Sequence, residues 1–187
     1  MTNQDLFNGL SRLDAERKRR ISEAESKYAS DRKALLDAYA KANARFRKGD
    51  VIMQLHPNYG PVGFTIIRVG SVETVREGSA VFLMYRGREI YPDFTEGCTV
   101  GGEPRYEAIC DRRSDAALLS KPLYVSFIVV TSSGREIPAN TYLESINEAR
   151  SVLTSTDEDV VRYGVTESGE RVEIQQLSNV NKYFRKH

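Results

Sequence analysis

The sequence predicts an α+β protein, in which one long N-terminal α-helix precedes a β-rich domain of antiparallel hairpins. Residues 11–47 contain no Gly or Pro and are rich in Ala, Lys, Arg, Glu and Leu, which favour helix. After Gly49 the pattern changes to short β-branched runs separated by turn residues. We therefore predict a long, basic, amphipathic helix over residues 1–48 and a β-rich body over residues 49–187. A body divided into two sub-barrels, 49–112 and 122–187, is the alternative.

Ser11 is a suitable N-cap for the helix, and an earlier start near Asn3, with Gly9 as a weak point, is the alternative. Lys48 followed by Gly49 is a typical helix end. An apolar stripe recurs every three or four residues, which is close to the period of a straight helix. Arg17 and Arg32 interrupt this stripe. Its predicted interface residues are Leu13, Ile21, Ala24, Tyr28, Leu35, Tyr39, Ala42 and Phe46.

The predicted helix is longer than the body that follows it. Its 37 residues from Ser11 span roughly 55 Å at 1.5 Å per residue. A compact domain of about 140 residues is roughly 37 Å across. We therefore expect part of the stripe to contact a second copy of the chain, in a coiled-coil-like oligomer, or another protein. The alternative is an exposed helix that docks in part on its own domain.

Charge is distributed unevenly along the chain. Residues 1–48 hold twelve Lys and Arg against seven Asp and Glu, a net charge of +5, whereas the whole chain carries only +1. A basic arm joined to a mildly acidic body favours self-association or an anionic partner. Nucleic acid is the second candidate partner, through phosphate contacts. The candidate contacts are Arg17, Lys18, Arg19, Arg20, Arg45, Arg47 and Lys48.

The body is predicted from β-branched runs bounded by Gly, Pro and polar turns. The predicted strands cover residues 50–55, 63–75 (one strand or a pair around Gly70), 79–85 continuing to 88–91, 123–131, 135–137, 160–166 and 171–175. Residues 92–112 are predicted to be the least regular part. A short helix capped by Ser114 is expected over residues 114–120. A second helix begins at the capping box Thr141-x-x-Glu144 and carries Leu143, Ile146 and Leu153 on one side.

Two segments of the body carry a resemblance to a known fold. Lys48-Gly49-Asp50-Val51-Ile52, a Gly/Pro loop and then Gly63-x-x-Ile66-x-x-Val69 resemble the opening of SH3-like small barrels, including the KOW type. Residues 168–174 and 177–180 are similar to the way such barrels close. The resemblance implies one or two small barrels and the RNA or ribosome-associated partners of KOW domains. It transfers no functional residue.

Few residues in the sequence are suited to catalysis or metal binding. His56, His187, Cys98 and Cys110 form no CxxC, HxH or HxxxH pair, so neither a metal site nor a cofactor is predicted. A nucleophile would be Cys98 or a serine, with His56 as the only plausible histidine base, and a semi-buried structural thiol is the favoured interpretation of Cys98. The carboxylates of residues 92–112 match no spaced cation loop and are interpreted as a solvated acidic surface.

The sequence favours a non-enzymatic structural or adaptor protein that assembles through its helix. Such a shape suits an accessory component of a larger particle, for example a phage virion. A nucleic-acid-binding module that uses the basic helix and a small barrel is the alternative function. No apolar run approaches the ~20 residues that span a bilayer, and the N-terminus does not resemble a signal peptide, so we expect no membrane partner and a cytoplasmic location, or a particle assembled there.

Overall fold

The computed structural model describes residues 2–55, 63–99, 102–112 and 115–178. The predicted α+β class is confirmed: one long helix is followed by antiparallel sheets and a shorter helix. The chain forms two compact units, residues 1–44 and residues 45–187. The predicted 56–61 loop, the Ser114 cap and the chain beyond Ser178 lie outside the described residues.

Helix α1 spans Asn3–Asn43, 41 residues, and therefore begins and ends earlier than the stretch 11–47. Thr2 caps it, because its hydroxyl accepts from the Asp5 amide while the Asp5 carboxylate accepts from the Thr2 amide, at 3.2 and 2.8 Å. This reciprocal capping box fixes the earlier start, so Ser11 lies inside the helix and is not its cap. The helix ends at Asn43, and Ala44 already has extended backbone.

The first sheet has five antiparallel strands in the order β4-β3-β2-β1-β5. The strands are β1 (Val51–Leu55), β2 (Phe64–Glu77), β3 (Ala80–Glu89), β4 (Tyr106–Asp111) and β5 (Ala117–Leu118). Gly70 lies at a bulge within β2, so residues 64–77 form one strand and not a pair. A Cβ on Gly87, in β3, would lie 2.0 Å from the Arg68 carbonyl oxygen, so only Gly fits beside this bulge.

The second sheet has four antiparallel strands in the order β7-β6-β8-β9 and carries the second helix. The elements are β6 (Ser126–Thr131), β7 (Glu136–Ala139), α2 (Tyr142–Ser155), β8 (Val160–Val165) and β9 (Arg171–Leu177). The predicted capping residue is confirmed, because the Thr141 hydroxyl accepts from the Glu144 amide at 3.1 Å. The Glu144 carboxylate reaches back one residue further than expected, to the Asn140 amide at 2.7 Å. α2 packs against β6, β7 and β8.

The second sheet is curled without closing. Arg171, at the start of β9, forms a two-pronged ion pair with Glu136, at the start of β7, with distances of 2.6 and 3.1 Å. In a flat sheet these edge strands would be separated by three spacings, roughly 14 Å. The outer strands β7 and β9 are thus joined by side chains and not by backbone hydrogen bonds. Within the described residues neither sheet closes, so the SH3-like barrels are not confirmed.

A cluster of aromatic side chains joins the two sheets inside the second unit. The rings of Tyr91 and Tyr142 lie 4.8 Å apart, and those of Phe127 and Tyr142 lie 5.7 Å apart. The Tyr142 amide also donates to the Asp93 carboxylate at 2.7 Å. The irregular segment after β3 is therefore a structural connection between the sheets, and its carboxylate Asp93 is not part of a free acidic surface.

Two predictions for the body are wrong. Residues 106–111, assigned to the irregular region, form strand β4, because they pair with residues 83–88 of β3. The helix expected over residues 114–120 is replaced by β5, whose Ala117 and Leu118 pair with Met53 and Ile52. The predicted second helix is present as α2, and its most buried residues are Ser145, Ala149 and Val152.

Candidate functional site

The apolar stripe of α1 is exposed along most of the helix. Leu13, Tyr28 and Leu35 leave 67, 69 and 72% of their surface accessible. The other predicted interface residues within the helix are also exposed: Ile21, Ala24, Tyr39 and Ala42. Ala40, which the stripe does not include, is the buried residue of α1. Large apolar side chains exposed along one helix face, as here on both sides of Arg17 and Arg32, are typical of an interaction surface.

The stripe positions repeat every eleven residues. Leu13, Ala24 and Leu35 form one set at this spacing, and Leu10 and Ile21 belong to another. Eleven residues make three turns plus about 20°, so positions at this spacing stay on nearly the same side of a straight helix. The exposed face is therefore a continuous ridge, here called the α1 ridge, defined by Leu6, Leu10, Leu13, Arg17, Ile21, Ala24, Tyr28, Arg32, Leu35, Tyr39 and Ala42.

Phe46 does not belong to the α1 ridge, so this predicted interface residue is wrong. It follows the end of the helix and is 6% exposed, with its ring 5.3 Å from that of Tyr85 in an edge-to-face contact. The Tyr85 hydroxyl in turn accepts from the Arg45 amide at 3.1 Å. The backbone turns away from helical geometry after Asn43, and Phe46 therefore takes part in the core of the second unit.

The densest basic run of α1 is partly neutralised. Arg19 forms ion pairs with Glu23 and Glu16, at 3.0 and 3.6 Å, and Arg20 pairs with Glu16 at 2.8 Å. In the part of the chain that the structure describes, no carboxylate lies within 4.0 Å of Arg17 or Lys18. Only half of this run therefore presents charge without a nearby acid, which weakens the nucleic-acid hypothesis.

The basic residues after the helix differ in their surroundings. Arg45 donates to the Ala116 carbonyl at 2.6 Å and lies 3.4 Å from the largely buried Asp111 carboxylate, so it supports the body. The Arg47 amide donates to the Asp50 carboxylate at 2.7 Å, which closes the turn before β1. Arg47 and Lys48 are exposed and remain candidate phosphate contacts, whereas Arg45 is already committed to structural bonds.

A cavity of about 580 Å³ adjoins Cys98 and α2. The Cys98 amide and carbonyl both bond to the hydroxyl of Tyr91, at 3.3 Å each, so the loop is held by its backbone. The Cys98 thiol is half-buried, and its predicted base His56 lies outside the described residues. Across the described ranges, no group of three or more His, Cys, Asp or Glu side chains could hold a metal ion.

Glu89, which pairs with Arg105 of the cavity wall, is a carboxylate with a perturbed titration. Burial raises its pKa above the usual 4.5, and the positive charge of Arg105 offsets this only in part. The Arg105 Nε atom lies 3.1 Å from Glu89 Oε2, yet this buried oxygen accepts no well-aligned hydrogen bond. The ion pair is therefore too poorly oriented to compensate the loss of hydration.

The chain matches no protein-family model, and neither curated proteins nor solved structures show significant similarity to it. Among the helices that the structure describes, none combines the length and the apolar character needed to cross a bilayer. Function is therefore inferred from the geometry of the chain itself.

Proposed function

We propose that this chain is a non-enzymatic structural or adaptor protein that assembles by pairing its α1 ridge with that of a second copy. The exposed ridge is the observation that carries this proposal. A helix of 41 residues is about 60 Å long, and most of its apolar side chains are left in water. Burying such a surface against another helix is the usual source of helix stability in proteins.

The two arginines of the α1 ridge favour an antiparallel pair. In a parallel pair in register, Arg17 and Arg32 would each face the same arginine of the second copy. Like charges in contact are destabilising. In an antiparallel pair centred on Ala24, Arg17 is level with Asp31 of the second copy and Arg32 is level with Glu16. Arg17 then meets an opposite charge near the contact line. Arg32 no longer faces its own copy, although Glu16 lies on the opposite flank of the ridge and pairs with Arg20.

The apolar residues fit the same arrangement. Leu13 and Leu35 both lie eleven residues from Ala24, in opposite directions, so each is level with the other in the second copy. Ala24 meets itself at the centre, where a small side chain allows the two backbones to approach closely. A single alignment thus pairs Leu13 with Leu35 and brings Arg17 beside an acid.

Disulfide cross-linking tests both the association and its direction. The chain would carry Cys98→Ser and Cys110→Ser, so that only introduced thiols react. Ala24→Cys should then form a covalent dimer with itself under mild oxidation. Leu13→Cys alone should not, because its copies are about 33 Å apart along the axis, whereas a mixture of Leu13→Cys and Leu35→Cys chains should form the mixed dimer.

Ser26→Cys is the matched control, since this exposed residue lies about 200° around the helix from Ala24 and should not cross-link. Self-linking of Leu13→Cys and of Leu35→Cys would contradict the antiparallel arrangement and support a parallel one. A monomeric mass in sedimentation up to about 100 µM, with no cross-linking at any ridge position, would contradict self-association altogether.

A further inference from the structure

An arginine occupies a core position of the second sheet. The buried residues of β8 alternate as Val160, Arg162 and Gly164, so Arg162 points inward where an apolar residue is expected. It is 2% exposed and is the largest of the fully buried side chains in the described chain. Its guanidinium lies over the Tyr142 ring, 4.6 Å from the ring centre.

All the hydrogen bonds of this guanidinium within the described residues go to uncharged oxygens. Nε and Nη2 donate to the Ser145 hydroxyl at 3.3 and 2.9 Å, and Nη2 also donates to the Tyr142 carbonyl at 3.4 Å. Nη1 donates to the side-chain oxygen of Gln175 at 2.9 Å. Over the same ranges no carboxylate lies within 4.0 Å of Arg162, unlike several exposed arginines of this chain.

A buried guanidinium without a counterion is costly, because the charge has lost its hydration and arginine does not deprotonate in proteins. Burial lowers the pKa of Arg162, which reflects this loss, and the Tyr142 contacts offset it only in part. Uncharged acceptors and an aromatic face reduce the cost without cancelling the charge. The core therefore retains a positive charge that an anion could neutralise.

Arg162 also lines a cavity that is open to an anion. The cavity has a volume of about 310 Å³, at the lower end of the range for small-molecule sites. Arg150, an exposed residue of α2, contributes a second guanidinium, and no carboxylate is among the described residues that line the cavity. Ile146, Leu153 and Leu177 provide apolar surface.

We propose that this cavity binds a small organic anion, with a carboxylate or phosphate group held by Arg162 and Arg150 and an apolar body against Ile146, Leu153 and Leu177. Gln175 is exposed at the cavity, so its side chain can move aside and leave its place on Nη1 to an anionic oxygen. The charged end then receives charge-assisted hydrogen bonds, which are stronger than the neutral ones they replace.

Calorimetric titration of the full chain tests this site with four probes: benzoate, phenyl phosphate, inorganic phosphate and uncharged benzyl alcohol. We expect benzoate or phenyl phosphate to bind with one site per chain, and the one that binds identifies the charged group. Inorganic phosphate and benzyl alcohol should bind more weakly by about tenfold or more, because the first lacks the apolar body and the second lacks the negative charge.

Arg150→Gln should weaken binding of the preferred probe by about tenfold and Arg162→Met by more, since each removes a charged donor. Arg86→Gln, an exposed arginine paired with Glu73 in the first sheet, is the control and should leave affinity unchanged. If the Arg162→Met variant does not fold, the affinity of the Arg150→Gln variant, which changes an exposed residue, tests the proposal.

The site is overturned if neither aromatic anion binds saturably below about 10 mM. Equal affinity in Arg150→Gln and the unsubstituted chain would also overturn it. Binding of inorganic phosphate as tight as that of phenyl phosphate would likewise overturn it, because the apolar residues of the cavity would then contribute nothing to binding.

Discussion

Truncating one leucine of the α1 ridge should dissociate the proposed dimer. Leu35→Ala changes an exposed residue of a helix and replaces leucine by the best helix former, so α1 itself should remain folded. The same change occurs once in each copy. An antiparallel pair therefore loses two leucine side chains, one at each end of the paired region.

The expected weakening follows from the exposure of this side chain. Leu→Ala removes three carbon atoms, each contributing about 0.8 kcal/mol when fully buried. Because 72% of Leu35 is in water in the single chain, about 1.7 kcal/mol per copy is available on association. Two copies give about 3.4 kcal/mol, which raises the dimer dissociation constant roughly 300-fold.

Sedimentation equilibrium over a range of concentrations measures this constant directly. Lys33→Ala is the matched control, since it truncates an exposed side chain about 200° around the helix and should change the constant by less than about threefold. Circular dichroism of the same samples checks that helix content is retained. Equal dissociation constants for Leu35→Ala and Lys33→Ala would refute the assignment of the α1 ridge as the contact.

Three further predictions concern the body and the alternative partner. Gly164→Ala should lower the free energy of unfolding by about 1–3 kcal/mol in urea titrations, because its Cβ would lie 2.4 Å from the Tyr124 ring. Glu89→Gln should gain stability relative to the unsubstituted chain as pH rises from about 4 to 7. Burial raises the folded pKa of Glu89, so its stabilising contribution is complete below the ordinary value of 4.5 and is lost as pH rises through the folded value. Under the nucleic-acid hypothesis, retention on single-stranded RNA should fall steeply with salt, and Arg17→Gln combined with Lys18→Gln should reduce the slope of log affinity against log salt by about 1.4.

Each of these predictions has an outcome that contradicts it. A double variant with Tyr124→Leu should relieve part of the Gly164→Ala penalty, and a strictly additive loss would contradict the proposed clash. Parallel stability curves against pH for Glu89→Gln and the unsubstituted chain would contradict the raised pKa. No retention on RNA at low salt would remove the nucleic-acid hypothesis.

The helix and most strands could be predicted from sequence because their signals are local. The absence of Gly and Pro and the recurrence of apolar residues indicate α1 without any tertiary information. The final hairpin, β8 and β9, is similarly marked by alternating residues around Gly169. The true start of α1 was harder to place, since Thr2 and Ser11 are both acceptable caps.

The errors lie where long-range contacts decide. β4 and β5 are strands because β3 and β1 provide partners for them, and no local pattern reveals that pairing. Phe46 continues the helical spacing, but the chain leaves the helix three residues earlier and packs this ring on Tyr85. Arg162 is visible in the sequence as a charged residue between the inward positions of Val160 and Gly164. One such residue in an alternating strand does not predict a cavity.

The eleven-residue spacing in α1 restricts how this helix can change in length. Excising residues 14–24 would shorten it by about 16 Å while its remaining apolar side chains stay aligned to within about 20°. Excising nine residues instead would rotate one half by about 180°, which would send its leucines to the opposite flank. Such a helix can thus be lengthened or shortened only by nearly whole numbers of turns, such as seven or eleven residues, if both of its ends are to contact the same neighbour.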